Sequence, residues 1–145
     1  MPSPLPPLAE LAPGISVAGG LGNTDIEALA EQGVRTIINN RPDGEDPGQL
    51  PAADAAHIAA AHGITYHHIP ITAASLSRAD VDAFAAALAS APAPVVAHCR
   101  SGTRSALLWA LVRLREGASP GELIATAARY GIDIAALPML AARLG

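Results

Sequence analysis

The residues of greatest chemical interest are the single cysteine, Cys99, and two nearby arginines, Arg100 and Arg104. An apolar run at residues 95–98 predicts a short buried strand, and residues 106–112 predict an apolar helix, so Cys99 ends a strand and faces a helix N-terminus. Unpaired backbone N–H groups there carry partial positive charge, and the arginines add full charges. These groups favour the thiolate form of the cysteine, which is the nucleophilic form.

The turn between this strand and helix is predicted to bind an anion. Gly102 allows the backbone to curl so that several N–H groups face one ligand. Arg104 is expected to bind the anion through two parallel N–H groups, and Ser105 to donate its hydroxyl hydrogen to the Cys99 thiolate. The remaining predicted contacts to the anion come from Arg100, Ser101, Gly102 and Thr103.

Two residues of this stretch also have a purely structural interpretation. A lone cysteine after two valines is often an inert core residue, but such a residue has no use for two arginines within five positions. His98 precedes Cys99 on the predicted strand, where successive side chains point to opposite faces. Its ring is therefore expected to orient the loop through a hydrogen bond rather than to exchange protons with the sulfur.

These residues also carry a resemblance. His98-Cys99, Gly102 and Arg104-Ser105 resemble the phosphate-binding signature of cysteine-dependent protein phosphatases, although the spacing between Cys and Arg in those enzymes is one residue longer. The shorter spacing is similar to the active-site loop of rhodanese-like sulfurtransferases. The combination most resembles the phosphatase-like domain of the beta-lactamase-hydrolase-like family, whose members have been labelled both phosphatase-like and sulfur transferase.

The likeness covers the chain from about Gly14 to about Leu114 and includes residues 36–45. It implies an α/β fold with a central, mostly parallel sheet of about four to five strands flanked by helices, as in dual-specificity-like phosphatases. Alternating strand and helix patterns independently predict the same class. We expect a proline-rich lead-in at residues 1–13 and a single catalytic domain at residues 14–145.

The choice of reaction depends on a general acid. A phosphatase forms a phosphocysteine and needs an acid, usually Asp, for the leaving oxygen. In phosphatases with a strand similar to Ile69-Pro70-Ile71 the acid follows closely, but here those positions are Thr72, Ala73 and Ala74. The carboxylates left to replace it are Asp43, Glu45 and Asp46.

Sulfur transfer is the reaction that this pattern favours. Cys99 would take a sulfane sulfur as a persulfide and pass it to a thiol or cyanide acceptor, with leaving groups that need little protonation. A six-residue loop also suits a terminal sulfur better than a phosphoryl group. The alternatives are a tyrosine or dual-specificity phosphatase, and a module that binds an anion without turnover. A small sulfur-containing anion or a phosphorylated substrate is the expected ligand, and the resemblance allows a persulfide-oxidising enzyme as partner.

The loop at residues 41–51 has two interpretations. It contains three prolines, two glycines and three acids, which is typical of a solvated connection. It also follows a central strand, so it leaves the same edge of the sheet as the Cys99 loop. In that case Arg41 adds to the anion site, and Asp43 or Glu45 binds a guanidinium or acts as an acid, with Asp43 as a candidate substrate contact.

Composition excludes several other classes. A net charge of −4 gives no basic surface for nucleic acid or anionic membrane. A single cysteine cannot form an internal disulfide, and a nucleophilic thiol suits a reducing compartment, so we expect a cytoplasmic protein without a signal peptide. The spacing of His57, His62, His67 and His68 fits no common metal motif, and we expect no metal and no cofactor.

Further elements are predicted from apolar periodicity and capping residues. We expect strands at residues 15–18, 34–39 and 64–71 and helices at 25–32, 52–62 and from 77 to about 91. Thr24 is expected to open the first of these helices in a capping box, and Ser77 to open the third with Asp80 as its capping-box acid. After the Trp109 helix, Ser119-Pro120 should open another, and a last helix at residues 132–143 should break at Pro138.

Overall fold

Six helices surround a five-stranded sheet in the computed structural model, which describes residues 4–145. The strands are β1 (Ala9–Ala12), β2 (Ile15–Ala18), β3 (Thr36–Asn39), β4 (Thr65–His68) and β5 (Val95–His98). The helices are α1 (Asn23–Glu31), α2 (Ala52–Ala61), α3 (Arg78–Ser90), α4 (Thr103–Arg115), α5 (Pro120–Ala128) and α6 (Leu137–Leu144). This architecture confirms the predicted α/β class.

The strand order places the cysteine loop at the centre of the sheet. The order is β1-β2-β5-β3-β4, with β1 antiparallel to β2 and every other pair parallel. The last residues of the four parallel strands therefore lie in one row: Ala18, His98, Asn39 and His68. Ligands in open α/β folds bind at this carboxyl edge, and Cys99 is the first residue beyond its central strand.

Helices cover both faces of the sheet. Helices α1 and α2 pack their Ile and Ala side chains against Ile37 and Val96 on one face. Helices α3 to α6 cover the other face, where Phe84, Leu108 and Ile134 are fully buried. Trp109 is 4% exposed, which confirms that it belongs to the core. Each large apolar side chain buried in this way contributes about 1.5–3 kcal/mol to folding.

Strand β1 was not predicted, since it falls within the expected proline-rich lead-in. Residues 9–12 pair with β2, and the side chains of Ala9 and Leu11 are buried in the core. Two apolar residues beside prolines are too short a pattern to predict a strand, which forms because β2 offers a free edge. The division into lead-in and catalytic domain stays a prediction, and its residues 1–3 lie outside the described residues.

Two helix starts also differ from the predictions. The Asp25 carboxylate accepts a hydrogen bond from the Gly22 N–H at 2.8 Å, so α1 begins earlier than expected and Thr24 is not its cap. Pro138 lies in the first turn of α6 rather than breaking a longer helix. Proline is tolerated there because the N–H that it lacks has no partner within the helix. The predicted Ser77 cap of α3 is confirmed by its bonds with Asp80.

Candidate active site around Cys99

The loop between β5 and α4 closes around the cysteine sulfur. Gly102 is in the left-handed backbone conformation (φ 93°), which residues with a side chain rarely adopt. In this conformation its N–H donates to Sγ of Cys99 at 3.2 Å. The sulfur therefore receives a backbone hydrogen bond at the N-terminus of α4, as the sequence predicts for a stabilised thiolate.

Cys99 has no exposed surface in this conformation. Arg104 turns inward, and its side chain is 19% exposed. Access for a substrate therefore requires groups around the sulfur to move. The backbone donor of Gly102 and the arginine are already in place beside the sulfur.

The guanidinium of Arg104 is held along one edge. Its Nη1 donates to Oε2 of Glu45 and to the carbonyl oxygen of Ile71, and its Nη2 donates to Oε1 of Glu45, each at 2.8 Å. An arginine carries five N–H donors. Within residues 4–145, its Nε–H and one Nη2–H have no carboxylate or carbonyl partner, which leaves a parallel pair for an anion.

The charge state of this pair is well defined. The hydrogen bond to Glu45 raises the pKa of Arg104, partly opposed by burial and reinforced by the nearby Cys99 sulfur. Hydrogen bonds and charge from Arg104 and Arg41 hold the pKa of Glu45 below its usual value of 4.5, against the effect of burial. Glu45 is therefore ionised at neutral pH and is a poor proton donor in this arrangement.

The loop at residues 41–51 reaches the site through its acids. Nε of Arg41 donates to Glu45 at 3.1 Å, and Nη2 of Arg41 bonds Asp46. Asp46 also accepts a hydrogen bond from Nε of Arg100 at 3.0 Å. Arg41 and Arg100, both predicted to bind the anion, are thus paired with carboxylates here. Arg100 is 65% exposed at its side chain and lies at the rim.

Two residues predicted to act at the site make other contacts in the structure. Asp43 accepts a hydrogen bond from the Ala52 N–H, at the start of α2, at 2.8 Å. The hydroxyl of Ser105 donates to Oδ1 of Asn40 at 2.8 Å rather than to Cys99. Ser101 and Thr103 bond each other at the edge of the loop through their hydroxyls at 3.3 Å.

Asn40 is the residue that sequence reasoning missed. It is fully buried, and its Nδ2 donates to the Ile69 carbonyl while its backbone N–H donates to the His98 carbonyl. With Ser105 as its third partner, it ties β5, α4 and the segment after β4 together. An asparagine directly after a buried strand, at the edge where ligands bind, was the available signal.

The chain matches a known protein family. Residues 8–115 match the family described as beta-lactamase hydrolase-like protein, phosphatase-like domain. The chain belongs to this family. A beta-lactamase hydrolase-like protein of Xylella fastidiosa (strain Temecula1 / ATCC 700964) is 36% identical over 122 residues, which are 83% of this chain and 28% of that protein. One of Agrobacterium fabrum is 39% identical over 103 residues, 71% of this chain and 24% of that protein. The chain thus spans about a quarter of these curated relatives.

Solved structures that share this fold include proteins described as phosphatases. A protein of Neisseria meningitidis Z2491 assigned as a phosphatase has a TM-score of 0.82 and 33% identity, covering 93% of this chain and 96% of that one. Kinase associated phosphatase shares the fold alone, with a TM-score of 0.74, 18% identity and coverage of 94% and 93%. The resemblance inferred from the sequence is confirmed. The comparisons support the phosphatase alternative and give no support to sulfur transfer.

Two adjacent glycines bring β2 of this phosphatase-like domain against its cysteine loop. The Gly20 N–H donates to the Arg100 carbonyl oxygen at 3.1 Å. A Cβ atom at Gly19 would lie 3.0 Å from that same oxygen, which is tighter than nearly all real contacts.

Replacement of Gly19 by alanine is expected to displace the Arg100 carbonyl and distort the loop. We expect a loss of about 1–3 kcal/mol in unfolding free energy, as for other overpacked sites, together with weaker anion binding. Urea unfolding and phosphate titration measure the two effects. Gly121→Ala, in helix α5 where a Cβ meets nothing closer than 3.9 Å, is the matched control. An unchanged Gly19→Ala protein would contradict the close packing.

His98 is the last residue of β5 and is 5% exposed. Its Nδ1 has no hydrogen-bond partner in the described part of the chain, so the orienting bond expected from the sequence is not made by that atom. Burial lowers the pKa of His98 from 6.5 to about 4, with smaller contributions from Arg41 and His68. The imidazole of His98 is therefore neutral at pH 7.

Acidification is therefore expected to destabilise the domain through His98. Because the folded-state pKa is depressed, the stabilisation is fully present above pH 6.5 and decreases as the pH falls toward 4, where the unfolded chain binds a proton that the folded protein does not. The loss amounts to about 3 kcal/mol by pH 4. Urea unfolding across this range should show a shallower decline for His98→Asn than for His57→Asn, the control at an exposed position. Equal declines would contradict the assignment.

No cluster of three or more metal-binding side chains occurs within residues 4–145. The described helices include none with the length and apolar character that crossing a bilayer requires.

Proposed function

We propose that this domain hydrolyses phosphate monoesters through a covalent Cys99 phosphocysteine. One observation carries the proposal: the Cys99 sulfur, hydrogen-bonded by Gly102, lies at the start of α4 beside the guanidinium of Arg104. The family and the fold shared with phosphatases support it. Sequence reasoning placed this reaction second, behind sulfur transfer.

The reaction has two displacement steps. Sγ of Cys99 attacks phosphorus and forms an S–P bond, while the bond to the leaving oxygen breaks and that oxygen keeps the electron pair. Water then attacks phosphorus, the S–P bond breaks back to the thiolate, and inorganic phosphate and a proton are released. The Gly102 N–H stabilises the negative sulfur as attacking group in the first step and as leaving group in the second.

The main task of the protein is to stabilise the negative charge on the transferred phosphoryl group. Catalysis of phosphoryl transfer depends largely on positioning and on stabilising charge on the equatorial oxygens. The two remaining donors of Arg104 are suited to bind two such oxygens, and the N–H groups at the start of α4 to bind the third. Glu45 and Ile71 act as positioning groups, since they fix the other edge of the guanidinium.

The site is poorly equipped to protonate the leaving oxygen. Thr72, Ala73 and Ala74 provide no carboxyl group after β4, and Glu45 is held in its ionised form. The enzyme should therefore prefer esters whose leaving groups are already acidic, because such groups depart without a proton.

A series of aryl phosphates with leaving groups of decreasing pKa tests this proposal. We expect kcat/KM to rise steeply from phenyl to p-nitrophenyl phosphate, with release of inorganic phosphate that depends on Cys99. A flat series would show that an acid is present after all. No phosphate release from any ester would refute phosphatase activity.

Sulfur transfer is retained as a second candidate for one reason. The four-residue spacing between Cys99 and Arg104 and the missing acid both fit a reaction whose leaving group needs no proton. Intact-mass measurement after incubation with thiosulfate distinguishes the reactions, since a persulfide adds one sulfur that cyanide or a thiol removes. An unchanged mass eliminates this candidate and, with it, the persulfide-oxidising partner. If neither reaction occurs while sulfate raises the melting temperature, the domain is an anion-binding module.

A phosphorylated substrate and a reducing, cytoplasmic setting go with the phosphatase proposal. The single cysteine must stay reduced to act as nucleophile. An active protein isolated without reductant, with Cys99 already oxidised, would contradict that setting.

A further inference from the structure

An apolar cavity lies directly beside the catalytic arginine. Its volume is about 340 Å³, and its walls come from the segment after β4, from α4 and from α6. Its lining residues include Ile71, Leu76, Leu107, Met139, Leu140 and Arg104. A volume above 300 Å³ with mostly apolar walls is typical of a small-molecule site.

The cavity and the Cys99 site share Arg104. This arginine lies beside the sulfur and also lines the cavity, and its Nη1 is bonded to the carbonyl of Ile71, another lining residue. Leu107 follows Arg104 by three positions in α4 and so lies on the same side of the helix. A phosphoryl group bound at the arginine would therefore direct its ester group toward these apolar walls.

The size and chemistry of the walls restrict the occupant. An apolar cavity of about 150 Å³ holds one benzene ring, so this cavity has room for about two. No aspartate or glutamate is among its lining residues, and the guanidinium of Arg143 at its border is bonded to the Leu76 carbonyl at 3.2 Å. Met139, 69% exposed at the rim, is a flexible side chain that adapts to different apolar shapes.

One wall is built from residues beyond the region that matches the family. Met139, Leu140 and Arg143 belong to α6 (Leu137–Leu144), whereas the family match ends at residue 115. The cavity is thus not described by the residues on which the family assignment rests.

We infer that this cavity binds the leaving group of the substrate, and that the substrates are phosphate esters of apolar phenols larger than a single ring. The inference rests on the proposed phosphatase function. It agrees with the missing acid, because phenols are far better leaving groups than aliphatic alcohols. Burial of a second ring supplies binding energy that a phosphorylated serine or a single-ring phenyl ester lacks.

Phenyl and 2-naphthyl phosphate, whose leaving groups have nearly the same acidity, form the test pair. We expect kcat/KM for the naphthyl ester to be higher by about thirtyfold, from the burial of four more ring carbons. Phenylphosphonate and naphthylphosphonate, used as inhibitors, should differ in Ki in the same direction. A ratio near one in the wild-type protein would overturn the inference.

A variant that fills the cavity supplies the second arm. Ala73, at an exposed position, lines the cavity, whereas its exposed neighbour Ala74 does not. Ala73→Trp should bring the naphthyl-to-phenyl ratio close to one, and Ala74→Trp, the matched control, should preserve it. A ratio unchanged in Ala73→Trp, with its fold verified by thermal melting, would also overturn the inference.

The two proposals fail in different ways. Phosphonates that bind with ring-size discrimination, without turnover of either ester, would retain the cavity assignment and refute hydrolysis. Hydrolysis of both esters at equal kcat/KM would retain the phosphatase and refute the cavity. If neither phosphonate binds and neither ester is turned over, both proposals are wrong.

Discussion

Hydrolysis of p-nitrophenyl phosphate is expected to fall by about 10⁴-fold or more when Cys99 is replaced by serine. A serine hydroxyl ionises far less readily than a thiol and is therefore a much weaker nucleophile at neutral pH. The two side chains are close in size, so a fully buried position should accept the change without loss of fold. Initial rates and thermal melting together measure the outcome.

Binding separates a lost nucleophile from a lost site in this experiment. The Cys99→Ser protein should keep the rise in melting temperature that inorganic phosphate gives the wild type, because Gly102 and Arg104 remain in place. A variant that retains wild-type turnover would show that the nucleophile lies elsewhere. A variant that melts at the wild-type temperature but no longer responds to phosphate would assign the sulfur to anion binding.

Lysine in place of Arg104 is expected to lower kcat/KM by about 10²- to 10³-fold. The guanidinium has enough donors to bind the two oxygens of Glu45, the Ile71 carbonyl and an anion at the same time. A lysine has three donors on a single nitrogen and cannot present a parallel pair to the substrate while it satisfies the carboxylate. Steady-state kinetics at several concentrations of p-nitrophenyl phosphate separate a rise in KM from a loss of kcat.

Arg113→Lys is the matched control for this substitution. Arg113 lies on the same helix, α4, and is paired with Glu116 at the surface, where an ion pair contributes little. We expect its kinetics to stay within about twofold of the wild type. If Arg104→Lys behaves in the same way, the arginine does not bind the phosphoryl group.

Local patterns were enough to predict the centre of this site. The strand, the glycine turn and the helix around Cys99 are consecutive in sequence, and each has its own signal in apolar periodicity or residue type. The same holds for the Ser77 cap of α3, whose partner Asp80 is only three residues away. Features of this kind require no knowledge of how distant segments pack.

Roles that depend on distant partners could not be predicted in the same way. Glu45 meets Arg104 across 59 positions, and Asn40 meets Ser105 across 65. Asp43 and Glu45 lie on the same loop and were both candidates to bind a guanidinium, but Asp43 accepts a hydrogen bond from the Ala52 N–H of α2. The acids of one loop differ in role because of side-chain direction, and this is fixed only by the packed structure.

The spacing between Cys99 and Arg104 alone could not predict which reaction the site catalyses. A loop with a cysteine, a glycine and an arginine reports that an anion is bound, since backbone donors and a guanidinium serve sulfur and phosphorus oxyanions alike. The four-residue interval favoured sulfur transfer, whereas the family match and the structural neighbours support the phosphatase. The motif therefore does not distinguish sulfur from phosphorus as the atom that Cys99 attacks, and the thiosulfate and aryl phosphate experiments do.

Excision of this domain at residue 115, where homology to the family ends, would remove part of its own interior. Ile134 and Leu137 have no exposed surface, and the hydroxyl of Tyr130 donates to the Glu10 carbonyl in β1 at 2.9 Å. Losing two such side chains costs about 3–6 kcal/mol, a large share of the 5–15 kcal/mol that typically separates folded from unfolded domains. Recombinant fragments of this protein should therefore be cut after α6 and not at the homology border.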